Sequence, residues 1–174
     1  MKKFLFLAAG ILISGSAMAQ DLIFQHLARP DSVFIPQYKA VACKFTQNKT
    51  IPNTDTVIES GGRFRFNASS GVVFETLYPV VNTTVYATDK DKKLGALIAA
   101  IARKDYTYLN NNFELFYIRN GVSWRLALKP KVASKASGIM ESIIIAGGKY
   151  IDQIDIRTPK SGNMKINFTE CSAY

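Results

Sequence analysis

Short runs rich in β-branched and aromatic residues recur along most of this chain, and turn residues separate each run from the next. Asn120-Gly121 and Gly147-Gly148 are two-residue hairpin signals, and the other connections are also short, so neighbouring strands should be antiparallel. A sheet of many strands curls or closes, because open edges invite aggregation. We therefore predict a mainly β (α+β) fold built on a strongly curved antiparallel sheet or incomplete barrel. The nine predicted strands are residues 40–48, 57–67, 71–78, 81–88, 113–119, 122–128, 138–146, 149–157 and 163–170.

One segment has the period of a helix instead of a strand. Residues 92–104 place four apolar side chains at the spacing of a single helical face. These side chains are Leu94, Leu97, Ile98 and Ile101. Because a curved sheet encloses an apolar hollow, we predict that one or more helices, including this one, cover its concave face.

Two other segments have weaker patterns. The leader ahead of the first strand is compatible with a short helix at 22–28, which Pro30 and Pro36 prevent from continuing. Residues 130–137 are small and basic, and we predict a loop or a short helix there.

The N-terminus has the three-part pattern of a cleavable secretory signal. Two lysines precede an apolar run at 4–13, and small residues ending at Ala19 follow it. That run is too short to span a bilayer, which takes about 20 apolar residues. We predict a signal peptide at 1–19 and a single exported domain at 20–174. The signal carries two of the 22 basic residues and none of the 13 acidic ones, which leaves a formal charge of 20 minus 13, or +7.

Cys43 and Cys171 are the two cysteines of the chain, one early and one close to its end. In an exported protein we expect them to form a disulfide that joins the first strand to the last. The chain-entropy model gives such a long loop closure about 4 to 5 kcal/mol of stabilisation. The alternative is two buried free thiols. We expect no metal site, because two distant cysteines and His26 do not make a ligand set.

The sequence lacks the usual signs of a catalytic centre. His26 is the only histidine, so serine or cysteine nucleophiles lack their usual base. The acidic residues are scattered singly, and no nucleotide-binding, zinc-protease or CxxC motif occurs. We therefore predict a protein that is not an enzyme and needs no cofactor.

The basic excess could suggest a nucleic-acid partner, since Arg63-Phe64-Arg65-Phe66 interleaves basic and aromatic residues. On a strand, however, the two phenylalanines share one face and the two arginines the other, as in any half-buried strand. Exported proteins also seldom meet nucleic acid. We predict no nucleic-acid partner.

The alternating apolar residues should give the sheet a large apolar inner face. This face could be a plain packed core under the helix, or it could line a cavity for an apolar ligand. In the second case, strand alternation and the helix face select the lipid-binding candidates Phe45, Phe64, Phe66, Val72, Phe74, Leu97, Ile101 and Trp124.

Several short motifs, spread over most of the exported chain, carry a resemblance to a known family. They are Phe45-Thr46-Gln47 with Lys49, Ser60-Gly61-Gly62-Arg63-Phe64, Gly71-Val72-Val73-Phe74-Glu75-Thr76-Leu77-Tyr78-Pro79, Tyr108-Leu109, Trp124-Arg125-Leu126 and Ile166-Asn167-Phe168. In these motifs the chain resembles a divergent branch of the outer-membrane lipoprotein carriers, the LolA-like periplasmic chaperones. The resemblance implies an incomplete barrel whose concave face, covered by helices, receives the acyl chains of a lipid-modified client, without catalysis.

The chain departs from the main branch of that family at one position tied to its activity. Those carriers have Arg-Pro ahead of the strand that begins here at Gly71, and this chain has Ala68-Ser69 instead. In the family that arginine is linked to lid closure and client release. The resemblance therefore implies acyl-chain binding more directly than transfer of lipoproteins.

Two functional hypotheses follow. The first is a periplasmic carrier or chaperone that binds lipid or an acylated protein in an apolar cavity. It would be a monomer with transient membrane contact, and it would pass its client from an inner-membrane exporter towards an outer-membrane receptor. The alternative is an exported, non-enzymatic interaction module whose basic face binds a protein or a polyanion.

Overall fold

The computed structural model describes residues 22–86, 97, 100–101, 103–134 and 136–174. The predicted signal peptide at 1–19 lies outside the described residues, and so does most of the predicted helix at 92–104. Five positions of that range are described: Leu97, Ala100, Ile101 and Arg103 are helical, and Lys104 lies in a turn. The first three are buried in the main core.

Nine strands form one sheet, as predicted. They are β1 (Ala40–Thr50), β2 (Val57–Asn67), β3 (Gly71–Tyr78), β4 (Asn82–Tyr86), β5 (Phe113–Asn120), β6 (Ser123–Pro130), β7 (Ser142–Gly147), β8 (Ile151–Arg157) and β9 (Met164–Ala173). Their order is β4-β3-β2-β1-β9-β8-β7-β6-β5, and every neighbouring pair is antiparallel. The sheet is not closed. Inward side chains from its distant strands meet in one core, so the sheet is curved like a half barrel.

Irregularities in the strand pairing help this sheet to bend. The register shifts between Gly61 and Gly62 where β2 pairs with β3, and between Ala146 and Gly147 where β7 pairs with β8. Such bulges bend a strand and increase its twist. A Cβ atom at Gly62 would collide with the carbonyl oxygen of Glu75, and one at Gly147 with that of Tyr150. Glycine is therefore required at these two close approaches of neighbouring backbones.

One short α-helix was not expected from the sequence. This helix, α1 (Tyr106–Asn112), begins after Asp105, whose carboxylate accepts a hydrogen bond from the Tyr108 amide at 2.9 Å. Leu109 is its one buried residue. An apolar period cannot be recognised in a single turn or two with one buried side chain. In the described part of the chain, no helix is both long and apolar enough to cross a membrane.

The leader serves as cover for one edge of the sheet, and the predicted helix at 22–28 is reduced to the 3-10 turn Ile23–Gln25. Ile23 is fully buried with Phe116 on the convex face. The Ala28 amide then donates to the Leu115 carbonyl of β5 at 2.7 Å. Beyond a second 3-10 turn, Pro30–Ser32, the chain crosses to the concave face. Pairing with β5 therefore replaces the helical hydrogen bonds expected of this segment.

The predicted disulfide is confirmed. Cys43 in β1 is bonded to Cys171 in β9, with 4.1 Å between the Cα atoms and a sequence separation of 128. A bulge between Ala42 and Lys44 interrupts the pairing of the two strands beside the bond. Disulfides persist in oxidising compartments, so the bond fits a location outside the cytoplasm.

Candidate apolar binding cavity

A cavity of about 80 Å³ lies inside the hollow of the sheet. Its walls come from β1, β2 and β6 to β9, from the helical Ile101, and from the leader that crosses the concave face. Most of the lining side chains are apolar or aromatic, and Lys149 is the one charged residue among the described lining residues. The lining consists of Ile35, Pro36, Tyr38, Val41, Cys43, Phe64, Phe66, Ile101, Trp124, Ile145, Lys149, Tyr150, Ile151, Ile154 and Phe168.

The structure places all eight lipid-binding candidates in one buried core but only some of them at the cavity. The four that line the cavity are Phe64, Phe66, Ile101 and Trp124. The other four, which pack in the core without reaching the cavity, are Phe45, Val72, Phe74 and Leu97.

Two of the candidates that miss the cavity, Phe45 and Phe74, belong to an aromatic cluster at the β1–β3 side. The Phe74 ring lies edge-on to Phe45 at 5.2 Å between centroids and to Phe64 at 5.0 Å. Tyr86 of β4 closes the cluster at 6.3 Å from Phe74. Edge-to-face rings fill space efficiently, so these rings pack against one another as part of the core.

Sequence reasoning missed eleven of the fifteen lining residues, and two groups among them show why. Ile145 and Ile154 lie at alternating inward positions of β7 and β8, so strand alternation could have selected them. Ile35, Pro36 and Tyr38 come from the leader, which has no clear period. Their place in the wall depends on the route of the leader across the hollow, which no local pattern reveals.

The cavity is covered on one side by residues 33–38, which we name the strap. Its inner side chains Val33 and Ile35 are buried in the core, whereas Phe34 between them points outward and is 49% exposed. Two hydroxyl groups hold its backbone. Tyr106 donates to the Val33 carbonyl at 2.7 Å, and Tyr117 donates to the Phe34 carbonyl at 2.6 Å. The strap is therefore attached mainly by a few hydrogen bonds and two inward side chains.

The outer side of the strap is basic. The Phe34 ring centroid lies 5.3 Å from the Lys104 ammonium nitrogen and 4.7 Å from the guanidinium carbon of Arg119. These distances are typical of cation–π contacts. An exposed aromatic ring between two cations gives this side of the molecule both apolar and positive character.

The least buried residues of the cavity lining, among them Tyr38, Lys149 and Tyr150, lie at the far end of the strap, and we name this part the mouth of the cavity. The Tyr38 and Tyr150 rings are 4.9 Å apart between centroids. The Tyr38 hydroxyl donates to the Lys149 carbonyl at 2.8 Å, and the Lys149 ammonium nitrogen lies 5.3 Å from the Tyr150 ring centroid. The mouth therefore combines apolar ring faces with one positive charge.

Burial raises the pKa of three tyrosines beside the core. It raises the pKa of Tyr106, Tyr86 and Tyr108 above the usual value of 10.0, with smaller additions from Tyr117 at Tyr106 and from Asp105 at Tyr108. All three stay neutral at physiological pH. Among the described residues, no group of three or more His, Cys, Asp or Glu side chains is placed to hold a metal ion.

No protein-family model and no curated protein matches this sequence.

Proposed function

We propose that this protein is a periplasmic carrier that holds an acyl chain of a lipid or an acylated protein in the cavity beneath the strap. The observation that carries the proposal is the cavity itself. Protein interiors are normally packed to the density of organic crystals, with few voids larger than a water molecule. A space of about 80 Å³ with mostly apolar walls is suited to an apolar ligand, because an acyl chain gains there the contacts that the walls lack.

The size of the cavity indicates how a carrier of this kind would work. Small-molecule sites usually measure about 300 to 1,000 Å³, so this cavity accommodates only one end of a long chain while the strap is closed. Each methylene that is buried contributes about 0.8 kcal/mol to binding of the chain. Each hydrogen bond of the strap contributes about 0.5 to 1.5 kcal/mol to the closed position of the strap. Burial of a few more methylenes therefore offsets the release of the strap from Tyr106 and Tyr117. Release of the strap would also expose Val33 and Ile35, so the free energy gained by the bound chain would be partly offset, as a carrier that releases its client requires.

The location and partners of the proposed carrier follow from three observations. The apolar run at 4–13 is typical of an export signal, the disulfide fits an oxidising compartment, and the short motifs resemble the LolA-like carriers. We propose that the client arrives from an inner-membrane exporter and leaves towards an outer-membrane receptor. The basic outer side of the strap would help the carrier to dock on anionic headgroups.

One observation favours the second candidate, an exported interaction module. Most of the hollow is filled by packed side chains, and the exposed Phe34 lies between Lys104 and Arg119 on the outside. In that case the basic face would bind a protein or polyanion, and the cavity would be a packing defect without a role.

A cavity-filling substitution distinguishes the two candidates. The purified, delipidated protein is titrated with dodecanoic acid, and uptake is followed by calorimetry. We expect saturable binding at one site. Val41→Phe places a ring in the cavity, and we expect it to weaken binding by about tenfold or more, equivalent to the loss of about two buried methylenes.

Val73→Phe is the matched control, because Val73 lies between two inward residues of β3 and its side chain is on the convex face. It should bind dodecanoic acid like the unmodified protein. An absence of saturable uptake in the unmodified protein would favour the interaction module. Unchanged binding by Val41→Phe would show that the chain binds elsewhere.

A further inference from the structure

The mouth of the cavity holds a cation whose charge no described acidic residue neutralises. We propose that the ligand is a single-chain amphiphile with an anionic headgroup, a carboxylate or a phosphate, and that the Lys149 ammonium group binds this headgroup. The inference rests on the proposed function, since it requires the acyl chain to occupy the cavity.

The charge distribution around the cavity supports an anion at this place. Lys149 lines the cavity and is exposed, and it forms no salt bridge with any residue that the structure describes. No Asp or Glu belongs to the described part of the lining. An anionic headgroup at the mouth would therefore meet a positive charge without a competing carboxylate, and charge-assisted hydrogen bonds are stronger than neutral ones.

The loop that carries Lys149 is fixed from three directions. The Lys149 backbone carbonyl accepts a hydrogen bond from the Tyr38 hydroxyl at 2.8 Å. The neighbouring Gly148 carbonyl accepts one from the Trp124 indole nitrogen at 2.9 Å. The Tyr150 hydroxyl accepts from the Ala173 amide at 3.2 Å. A held backbone limits where the ammonium group can reach, so less conformational entropy is lost when it pairs with a headgroup.

The shape of the cavity selects a single chain. While the strap is closed, a volume of about 80 Å³ leaves no room for two chains side by side. The inner walls at Phe64, Phe66 and Phe168 suit the methyl end of the chain, whereas the mouth between Tyr38 and Tyr150 suits its polar end. Tyrosine is favoured at such boundaries because one end of its side chain is apolar and the other is polar.

The test compares probes that share a dodecyl chain and differ in headgroup. Dodecanoate and dodecyl phosphate are titrated into the protein beside dodecanol and dodecyltrimethylammonium, all below their micelle concentrations. We expect both anions to bind about fivefold more tightly than dodecanol, which is the scale of an exposed ion pair. The cationic probe should bind more weakly than dodecanol, and added salt should reduce the preference for the anions.

Lys149→Gln should abolish the preference for the anions and leave the dissociation constant for dodecanol unchanged. Lys160→Gln removes the same charge in the turn at the other end of β8 and should change neither value. Acetate and inorganic phosphate should not bind, because they lack the chain. A diacyl phosphatidic acid should bind more weakly than its single-chain lysophosphatidic acid.

Each contrary result has a separate meaning. If dodecanol binds as tightly as dodecanoate, or if Lys149→Gln keeps the preference, the role of Lys149 is wrong while the carrier remains supported. If acetate or phosphate alone binds as tightly as the amphiphiles, the site is an anion site without a chain, and the inference is wrong. Equal binding of the two phosphatidic acids would overturn the single-chain assignment. If no amphiphile binds, the proposed function fails together with this inference.

Discussion

The concave side of the sheet contains two regions that are built differently. The first, which we call the packed region, lies around α1 and β5–β7. Five inward residues define it, and their exposed fractions lie between 0% and 2%: Leu109, Phe113, Leu115, Leu128 and Ile143. The second, which we call the cavity region, lies on β1, β2, β8 and β9. Five lining residues define it, and their exposed fractions lie between 4% and 8%: Val41, Phe64, Phe66, Ile154 and Phe168. One sheet thus combines a filled core with an incompletely filled one.

The difference shows how a small domain can keep a cavity without losing its fold. The packed region has side-chain contacts on all sides and needs no further support. The cavity region lacks some of those contacts, and it is the region where the disulfide joins β1 to β9 and where the strap crosses the hollow. The disulfide and the strap therefore support the part of the molecule in which packing contributes least.

The first prediction concerns the disulfide, because its removal should affect the cavity region most. Replacement of Cys43 and Cys171 by alanine opens a loop with a sequence separation of 128. We expect the free energy of unfolding to fall by about 4 to 5 kcal/mol, the chain-entropy value for a loop of this length. Urea unfolding of the double variant, with the reduced unmodified protein as control, measures the loss.

Hydrogen exchange on the same double variant tests the comparison between the two regions. Amides of β1 and β9 should lose protection at lower denaturant concentration than amides of β6 and β7. A loss below about 1 kcal/mol, far under the usual range for native disulfides, would show that packing alone stabilises the cavity region. Equal loss of protection in all four strands would show that the sheet opens as one unit.

The second prediction compares one truncation in each region. Leu128→Ala and Ile154→Ala each remove three carbon atoms from a buried inward side chain, so their chemistry is matched. We expect Leu128→Ala to lower the free energy of unfolding by about 4 kcal/mol and Ile154→Ala to lower it by about 2 kcal/mol. These values lie in the upper and lower parts of the usual range for such substitutions. The reason is that Ile154 already faces the cavity and loses fewer contacts.

Urea unfolding and dodecanoic acid binding should be measured on both of these variants. Ile154→Ala should change the affinity for the acyl chain, and Leu128→Ala should leave it unchanged because Leu128 does not line the cavity. Equal destabilisation by the two substitutions would mean that the regions are packed alike. An effect of Leu128→Ala on binding larger than that of Ile154→Ala would contradict the separation of core and cavity.

The two regions also differ in how far the sequence predicts them. The strands were predictable because alternation and turn signals are local, and β2 and β3 have the predicted bounds. The disulfide could be predicted from the signal-like pattern at the N-terminus and the number of cysteines. Helix α1 could not, because its Tyr and Asn residues are poor helix formers and Asp105 and tertiary contacts hold it.

The cavity was the least predictable feature. Whether an inward residue such as Phe66 lines a space, or one such as Phe74 packs in the core, depends on neighbouring side chains from distant strands. The strap and Lys149 are placed by the route of the leader and by the loop after β7, and these are tertiary properties. Periodicity identifies the inner face of a sheet but not the place where that face is incompletely covered.

The last prediction concerns the strap, where the expected effect is smallest. Tyr106→Phe removes the hydrogen bond to the Val33 carbonyl. It should lower the free energy of unfolding by about 0.5 to 1.5 kcal/mol at neutral pH. Tyr108→Phe is the control, because the Tyr108 ring packs on the core from the same helix but donates no hydrogen bond to the strap. Only Tyr106→Phe should raise the exchange rate of the strap amides and the dissociation rate of a bound acyl chain.

The pH dependence follows from the raised pKa of Tyr106, which burial causes first and Tyr117 second. The native state holds this proton more tightly than the unfolded chain, whose tyrosine pKa is about 10. The contribution to stability is therefore complete below pH 10 and is lost as the pH rises through the higher pKa of the folded state.

Burial and Asp105 raise the pKa of Tyr108 in the same direction, so either variant should reduce the loss of stability in urea unfolding at alkaline pH. If alkaline pH released the strap equally in the unmodified protein and in Tyr106→Phe, ionisation of Tyr106 would not be the cause, and the hold on the strap would lie with Tyr117 and the inward side chains.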